Sequence, residues 1–399
     1  MKFIFDRLAW TLALVFWTGI AGAEDQPKRF QRLVLSEEFH SEGATVADID
    51  GDGNLDVITG PFWYRGPDFD QRAPYAPAKE YSIRHYADQF FCFAHDFDSD
   101  GDADILSIPM PGRDAVWYEN PGNHTNPEPW KGHAALAAVD NESPVLTDLT
   151  GDGHPELVCL HQGRYGYASP DRSAPTEPWK FVAISPDLGH GRFTHGLGVG
   201  DVNGDGRPDL LERDGWWEQS EAAGQLFQFH PVPFAASGGS QMFAYDFDGD
   251  GDQDVVSVKN AHAYGLFWFE QHRKGDLIHF TPHMILPDTP PASPDEPSIS
   301  QMHALALADM DGDGIQDIVT GKRYWAHGGR DPGARQPPVL VWFRTVRTGA
   351  GVSFDRQIIH PRVGVGTQLT VADLAGDGDP DIIVGNKLGT FVVLNHCPR

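Results

Sequence analysis

Cysteine is scarce: Cys92, Cys159 and Cys397 are the only three in 399 residues. An odd, sparse set builds no disulfide framework, so stability has to come from elsewhere. Cys92 in "FFCFAHD" and Cys159 in "ELVCL" read as small buried apolar residues. Basic residues are also few, 30 Lys and Arg against 57 Asp and Glu, for a formal net charge of −27. That balance argues against a nucleic-acid partner. No phosphate-cradling glycine loop and no nucleophilic triad pattern is present. Beyond the first 23 residues no apolar run is long enough to cross a bilayer.

The one long apolar run lies at the start. Lys2 and Arg7 precede "LAWTLALVFWTGIAG", and Ala21-Gly22-Ala23 precedes Glu24. This is the pattern of a secretory signal peptide over residues 1–23. The remaining 24–399 is expected to be one exported domain, secreted, periplasmic or at the cell surface, with no transmembrane span.

What the chain has in abundance is acid at regular intervals. "DIDGDGNLD" from Asp48 returns from Asp96, Asp148, Asp201, Asp246, Asp309 and Asp373, at spacings of 45 to 64 residues. A recurring period near 50 signals a repeat architecture. Each copy has the form D-x-[DNTA]-x-D-G-x-x-[DE]. Oxygen donors at alternate positions, with a glycine for the sharp turn, suit a hard cation, and calcium is the usual one. An EF-hand would need Glu at the twelfth position and flanking helices. Six of the seven copies lack that Glu, and all seven run into strand-like stretches such as "VIT", "ILS", "VVS" and "IIV".

Each loop follows a short run of small apolar residues ("ATVAD", "HALALAD"). Each is followed by a second strand, an aromatic third strand ("FWYRGP", "VWYENPG", "GWWEQ", "LFWFEQ", "VLVWFR") and, in most copies, a fourth ("EYSIRH", "KFVAIS", "RQIIH"). Four strands per unit, seven times over, predict an all-β, seven-bladed β-propeller with a calcium loop in each blade. "QRLVLSEEF" has no blade of its own, and "GTFVVLN" lacks a fourth strand. The N-terminal strand is therefore expected to complete the last blade and close the ring.

These residues resemble the FG-GAP/VCBS repeat propellers, the calcium-loop blades also found in integrin α subunits. The resemblance spans nearly the whole of 24–399 and implies up to seven Ca²⁺ sites between first and second strands. The implied ligands are Asp48, Asp50, Asp52 and Asp56; Asp96, Asp98, Asp100 and Asp104; Asp246, Asp248, Asp250 and Asp254; and Asp309, Asp311, Asp313 and Asp317. The fourth loop offers Asp201, Asn203, Asp205 and Asp209. The third offers Asp148, Asp152 and Glu156, with Thr150 between. The seventh offers Asp373, Asp377 and Asp381, with Ala375 in place of a ligand. The acid is thus expected to be structural.

A ligand is expected on the opposite face. Six blades carry basic residues in or beside the connection between strands two and three: Arg113, Arg164, Arg213, Lys259, Lys322 with Arg323, and Lys387, accompanied by His161, Asn260, His262, His327 and Asn386. Recurrence at one structural position predicts a basic ring suited to an anionic or oxygen-rich ligand. The position six residues before each first aspartate reads Glu42, Phe90, Glu142, His195, Ser240, His303 and Thr367, with Gln241 and Gln368 one place on. Near one axis these form a candidate acid/base group or second metal site. The elaborated loops 287–298 and 326–338 should project on the same side.

"RFTHGLGVGDVNGDGRPDLLERDGWWEQ", from Arg192 to Gln219, is similar to propellers of aldos-2-ulose dehydratase type, which remove water from keto-sugars. That likeness implies β-elimination, a carbon–oxygen lyase chemistry. His195 or His303 would then be the base, Arg213, Lys322 or Arg323 the stabiliser, and Tyr165 or His262 the acid. Binding of a carbohydrate or other anionic small ligand without turnover needs less, and recognition of a protein surface is the third reading.

Overall fold

The computed structural model describes residues 29–124, 129–222, 224–235, 237–275, 277–291, 299–349 and 351–397. Among them seven four-stranded antiparallel sheets make up the regular structure, the all-β seven-bladed propeller that the repeat predicts. The apolar leader 1–23 and most of the loop 287–298 lie outside the described residues. Among the described residues no helix is long and apolar enough to cross a membrane.

Each blade is a meander. In the fifth, Phe243–Tyr245, Asp254–Val258, Leu266–Lys274 and Leu277–Leu286 pair in chain order, with Val256 opposite both Phe243 and Trp268. The inner strands are Ala44–Ala47, Phe91–His95, Val145–Thr147, Leu197–Gly200, Phe243–Tyr245, Leu305–Ala308 and Leu369–Ala372. They are short and mostly small-residued because seven of them crowd one axis. Second strands such as Asp56–Thr59 and Asp381–Asn386 are buried along their whole length. A blade packs a neighbour against each face, so these strands read as unbroken apolar runs rather than alternating ones.

The core lies between blades. Phe91, Leu106 and Trp117 of the second blade pack on Leu157, Cys159 and Trp179 of the third. Val57, Phe62 and Tyr64 of the first meet Ile383 and Val392 of the last. The seventh sheet consists of Leu369–Ala372, Asp381–Asn386, Gly389–Asn395 and, outermost, Phe30–Ser36, with Phe30 opposite Asn395.

Two polar devices brace this ring. The ninth residue of each acid loop turns inward, and its carboxylate accepts backbone amides. Asp254 takes the amides of Phe247 and Gln271, Asp104 those of Phe97 and Asn120, and Asp317 those of Met310 and Thr345. These three carboxylates tie their loops to the third strand or the residue just after it, whereas Glu156 of the third loop takes the amides of Leu149 and Thr150 in its own loop. Burial pushes Asp104, Asp254 and Asp317 up to about 7, against the lowering effect of those amides.

At the axis, Gln368 accepts from the Cys92 amide and donates to the Cys92 carbonyl, both at 2.9 Å, acting as a one-residue strand. Gln241 likewise spans the Leu305 amide and the Thr367 carbonyl at 3.0 Å each. The Thr367 hydroxyl donates to the Phe90 carbonyl at 2.5 Å. A Cβ on Gly366 would lie 1.9 Å from the Glu42 carbonyl oxygen, so only glycine permits this approach.

Candidate functional site

The acid loops lie at one end of the inner strands. Asp48, Asp50 and Asp56 bring carboxylate oxygens within 4.8 Å of one another, as do Asp96, Asp98 and Asp104. Buried Oδ1 atoms of Asp50 and Asp311 lack a protein partner. This donor set fits a hard cation: all oxygen, closely grouped, with unspent lone pairs. Arg65 also spans Asp50 and Asp52, and Arg344 spans Asp311 and Asp313, giving the first and sixth loops a fixed counter-charge. In the third loop the Thr150 hydroxyl donates to Glu156 at 2.8 Å.

At the other end, three members of the axial set meet. Glu142, His195 and His303 come from the third, fourth and sixth blades, and His262 joins them from the fifth. His195 Nε2 lies 3.1 Å from His303 Nε2 and 2.9 Å from His262 Nε2. Glu142 Oε2 is 3.0 Å from His303 Nε2 and 3.5 Å from His195 Nε2. Behind them, His262 Nδ1 and His327 Nδ1 both face Asp331 Oδ2, at 3.1 and 2.9 Å. Glu142, His195, His262, Arg323 and His327 line a cavity of about 380 Å³ whose apolar wall is Tyr86, Phe90, Met110 and Phe193. A roomier depression of about 470 Å³ lies over the first two blades, lined by residues including His40, Lys79, Tyr81 and Asp88. It has no comparable convergence, so chemistry singles out the smaller cavity.

Local backbone geometry aims these side chains. Gly196 takes φ +88°, which turns the chain directly after His195. Phe193 at +66° and Gln301 at +57° each stand two residues before a cluster histidine, and His327 itself is at +46°. Left-handed conformations at non-glycine residues are held only where surrounding contacts over-determine them, and they concentrate at working sites.

Electrostatics sort the group into fixed roles. His303 is fully buried, and burial together with Arg323 pushes its imidazole down to about 3, so it is neutral. Burial raises the Glu142 carboxyl, but its bonds to His195 and His303 prevail and hold it well below the usual range. The pair is therefore a carboxylate beside a neutral imidazole. Burial lowers His262 against the opposing pull of Asp331. Burial of Asp331 is outweighed by His262 and His327, which keep it ionised.

A second buried group sits beside the first. Arg323 donates to Glu42 Oε2 at 2.8 Å, with Lys387 Nζ 4.0 Å from Oε1. Arg323 and Lys387 both stand over the Tyr86 ring, at 5.3 and 4.1 Å. The remaining expected positions disperse. Arg113, Arg213 and Lys259 pair with Asp88, Asp214 and Asp288. Arg164 is exposed, while Tyr165 is buried among the strands. Lys322 is buried and donates to the carbonyls of Arg323 and Gln336. Gln241 and Gln368 are occupied as braces. Positive charge is therefore concentrated on the sixth and seventh blades rather than spread as a ring.

Asp331, Tyr86, Met110 and Phe193 line or support the site without having been expected there. For Asp331 the sequence signal was the elaborated loop 326–338 itself, which brings His327 to the cavity lining and Asp331 against His262.

The chain carries FG-GAP-like repeats, matched by that family's model over residues 96–159 and 246–320. Among solved structures it is similar to an Agrocybe aegerita lectin that recognises non-reducing terminal N-acetylglucosamine, at 16% identity over 92% of this chain and 85% of the other, TM-score 0.46. It is similar to the V. cholerae biofilm matrix protein Bap1 at 11% identity over 90% and 88%, TM-score 0.45. It is similar also to the exotype rhamnogalacturonan lyase YesX at 14% identity over 92% and 74%, TM-score 0.48. No curated protein sequence matches it.

Proposed function

We propose that the protein binds an anionic, oxygen-rich, carbohydrate-like ligand at the mouth of its axis and acts on it by β-elimination, as a carbon–oxygen lyase. The observation that carries this reading is the convergence of Glu142, His195, His262 and His327 on one cavity beside Arg323, with His303 and Asp331 bonded behind them. Burying so many ionisable groups together is costly, and packing alone does not require it. The apolar wall of Tyr86, Phe90, Met110 and Phe193 suits the ring face of a sugar.

Elimination needs a base beside a carbonyl or carboxylate, positive charge to stabilise the enolate, and an acid for the leaving group. His303 lies too deep to meet a substrate. His327 is the most exposed imidazole of the group, at 45%, and Asp331 on its Nδ1 leaves Nε2 as the basic atom. The Tyr86 hydroxyl accepts the His327 amide at 3.0 Å and keeps its own proton for a leaving group. Burial raises Tyr86, which favours that protonated form. Arg323, held by Glu42 below the ring, supplies fixed positive charge.

The wider reading has three further parts. Residues 1–23 direct export, calcium fills the acid loops, and Phe30–Ser36 closes the ring by pairing with Gly389–Asn395.

The test is an elimination assay on the calcium-loaded protein, offered uronate polysaccharides and keto-sugars and followed by ultraviolet absorbance of the new conjugated double bond. A signal is expected, and it should fall at least a hundredfold in His327→Ala and Tyr86→Phe. Silence across the panel from folded protein would end the lyase reading. Calorimetric binding of the same sugars would then decide whether the pocket is a binding site.

A further inference from the structure

We propose that Glu142, His195, His262 and His303 form a binding site for a divalent transition metal of the zinc class, distinct in chemistry and place from the acid loops. Three imidazole nitrogens and one carboxylate oxygen converge from four blades. The close donor–donor separations run from 2.9 to 3.5 Å. A tetrahedral ion with bonds of about 2.0–2.1 Å to nitrogen and oxygen needs edges of about 3.3–3.4 Å. The three imidazole nitrogens all lie within 4.8 Å of one another, and Glu142 adds its oxygen on the His195–His303 side, so closing the polyhedron needs Glu142 and His262 to draw toward a common centre.

Hydrogen bonding decides which nitrogens present lone pairs. His195 Nδ1 stands 2.6 Å from the Phe193 carbonyl, so it carries the proton and leaves Nε2 bare. His262 Nδ1 faces the Asp331 carboxylate, so its Nε2 is bare as well. Two bare nitrogens 2.9 Å apart repel unless a cation lies between them. A shared proton joins two atoms, whereas here a third nitrogen and a carboxylate oxygen close on the same point. His303 Nδ1 is buried with no partner, and the ring is fully enclosed.

The outer contacts agree. A carboxylate behind a histidine, as Asp331 stands behind His262, fixes the ring and strengthens it as a ligand. Imidazole-rich sets with one carboxylate favour zinc-class ions, while the all-oxygen loops favour calcium. Glu142, His195 and His262 also line the cavity, so an ion held by them would border the space proposed for the ligand and would expand to five-coordinate to engage it. There it would receive a carboxylate or hydroxyl oxygen as a further donor. That last clause rests on the proposed function, but metal binding itself does not.

The experiment uses the full chain, saturated with calcium and stripped of transition metals by a heterocyclic chelator. Cobalt(II) is titrated and followed by its visible d–d bands, and zinc is titrated by calorimetry, both without sugar. One equivalent is expected, with the intense bands of a four-coordinate nitrogen site, and zinc should displace the cobalt. His262→Ala, the least buried ligand variant, and Glu142→Gln should each weaken binding at least a hundredfold while keeping the calcium-dependent melting transition. Asp331→Asn should weaken it by about ten- to a hundredfold, and His327→Ala should bind normally. Absence of the cobalt spectrum in folded protein would overturn the site. So would unchanged stoichiometry and affinity in both His262→Ala and Glu142→Gln. Cobalt binding without elimination would uphold the metal site and reject the lyase reading.

Discussion

Lys322 offers a sharp test of how this propeller tolerates buried charge. It is 1% exposed and spends its ammonium on two backbone carbonyls, at 3.1 and 3.3 Å. Burial pushes it from 10.5 down to about 8. The unfolded chain therefore keeps this proton to higher pH than the native chain does. Below pH 8 folding carries the cost of a buried ammonium, about 3 kcal/mol. Between pH 8 and 10.5 the unfolded state binds more protons, so this contribution to stability rises with pH. Lys322→Met removes the burial cost but leaves two carbonyls without their donor, at about 1 kcal/mol each. The variant should be more stable than the parent by about 1 kcal/mol at pH 7 and less stable by about 1–2 kcal/mol at pH 10. Urea unfolding of both proteins at the two pH values, in saturating calcium, measures the difference. A variant equally destabilised at both would refute the reasoning, because the lysine would then not be strained by burial.

Three further predictions follow from the geometry. Gly196→Ala forces a side chain onto φ +88° and sets its Cβ 3.3 Å from the Arg213 Cβ; it should cost about 1–2 kcal/mol, lower the melting temperature and weaken zinc affinity through His195. Asp254→Asn keeps the shape but turns an NH₂ toward the amide of Phe247 or Gln271, and should cost about 1–3 kcal/mol in urea unfolding. Chelating calcium should lower the melting temperature, since each site filled tenfold above its dissociation constant contributes about 1.4 kcal/mol; melting unchanged by the chelator would refute calcium binding at the loops.

The architecture was readable because seven copies of one pattern repeat its evidence, and because strand periodicity is a local property. The axial set was partly readable for the same reason: Glu142, His195 and His303 occupy one repeat position, and the ring geometry brings that position together. Glu42 shares the position but is drawn off by Arg323, a pairing that joins residues 281 positions apart. The expected basic ring dissolved because Arg113 and Lys259 meet Asp88 and Asp288 from irregular connections that no periodicity describes, while Arg213 is taken by its own neighbour Asp214 in the hairpin turn. For Asp331 the sequence marked the elaborated loop 326–338 but not which of its residues would meet His262. Asp331 acts through the return path of a loop, and the repeat does not encode that path.

The braces across the axis have one more consequence. Gln241, Thr367 and Gln368 cross-link the inner strands beneath the cavity, and the backbone at Gly366 approaches Glu42 too closely for any side chain. The inner strands of blades far apart in the chain are therefore held together side chain to backbone near the axis. A ligand of the kind proposed would then have to meet the histidines from the side where the half-exposed His327 stands, and not by threading along the axis.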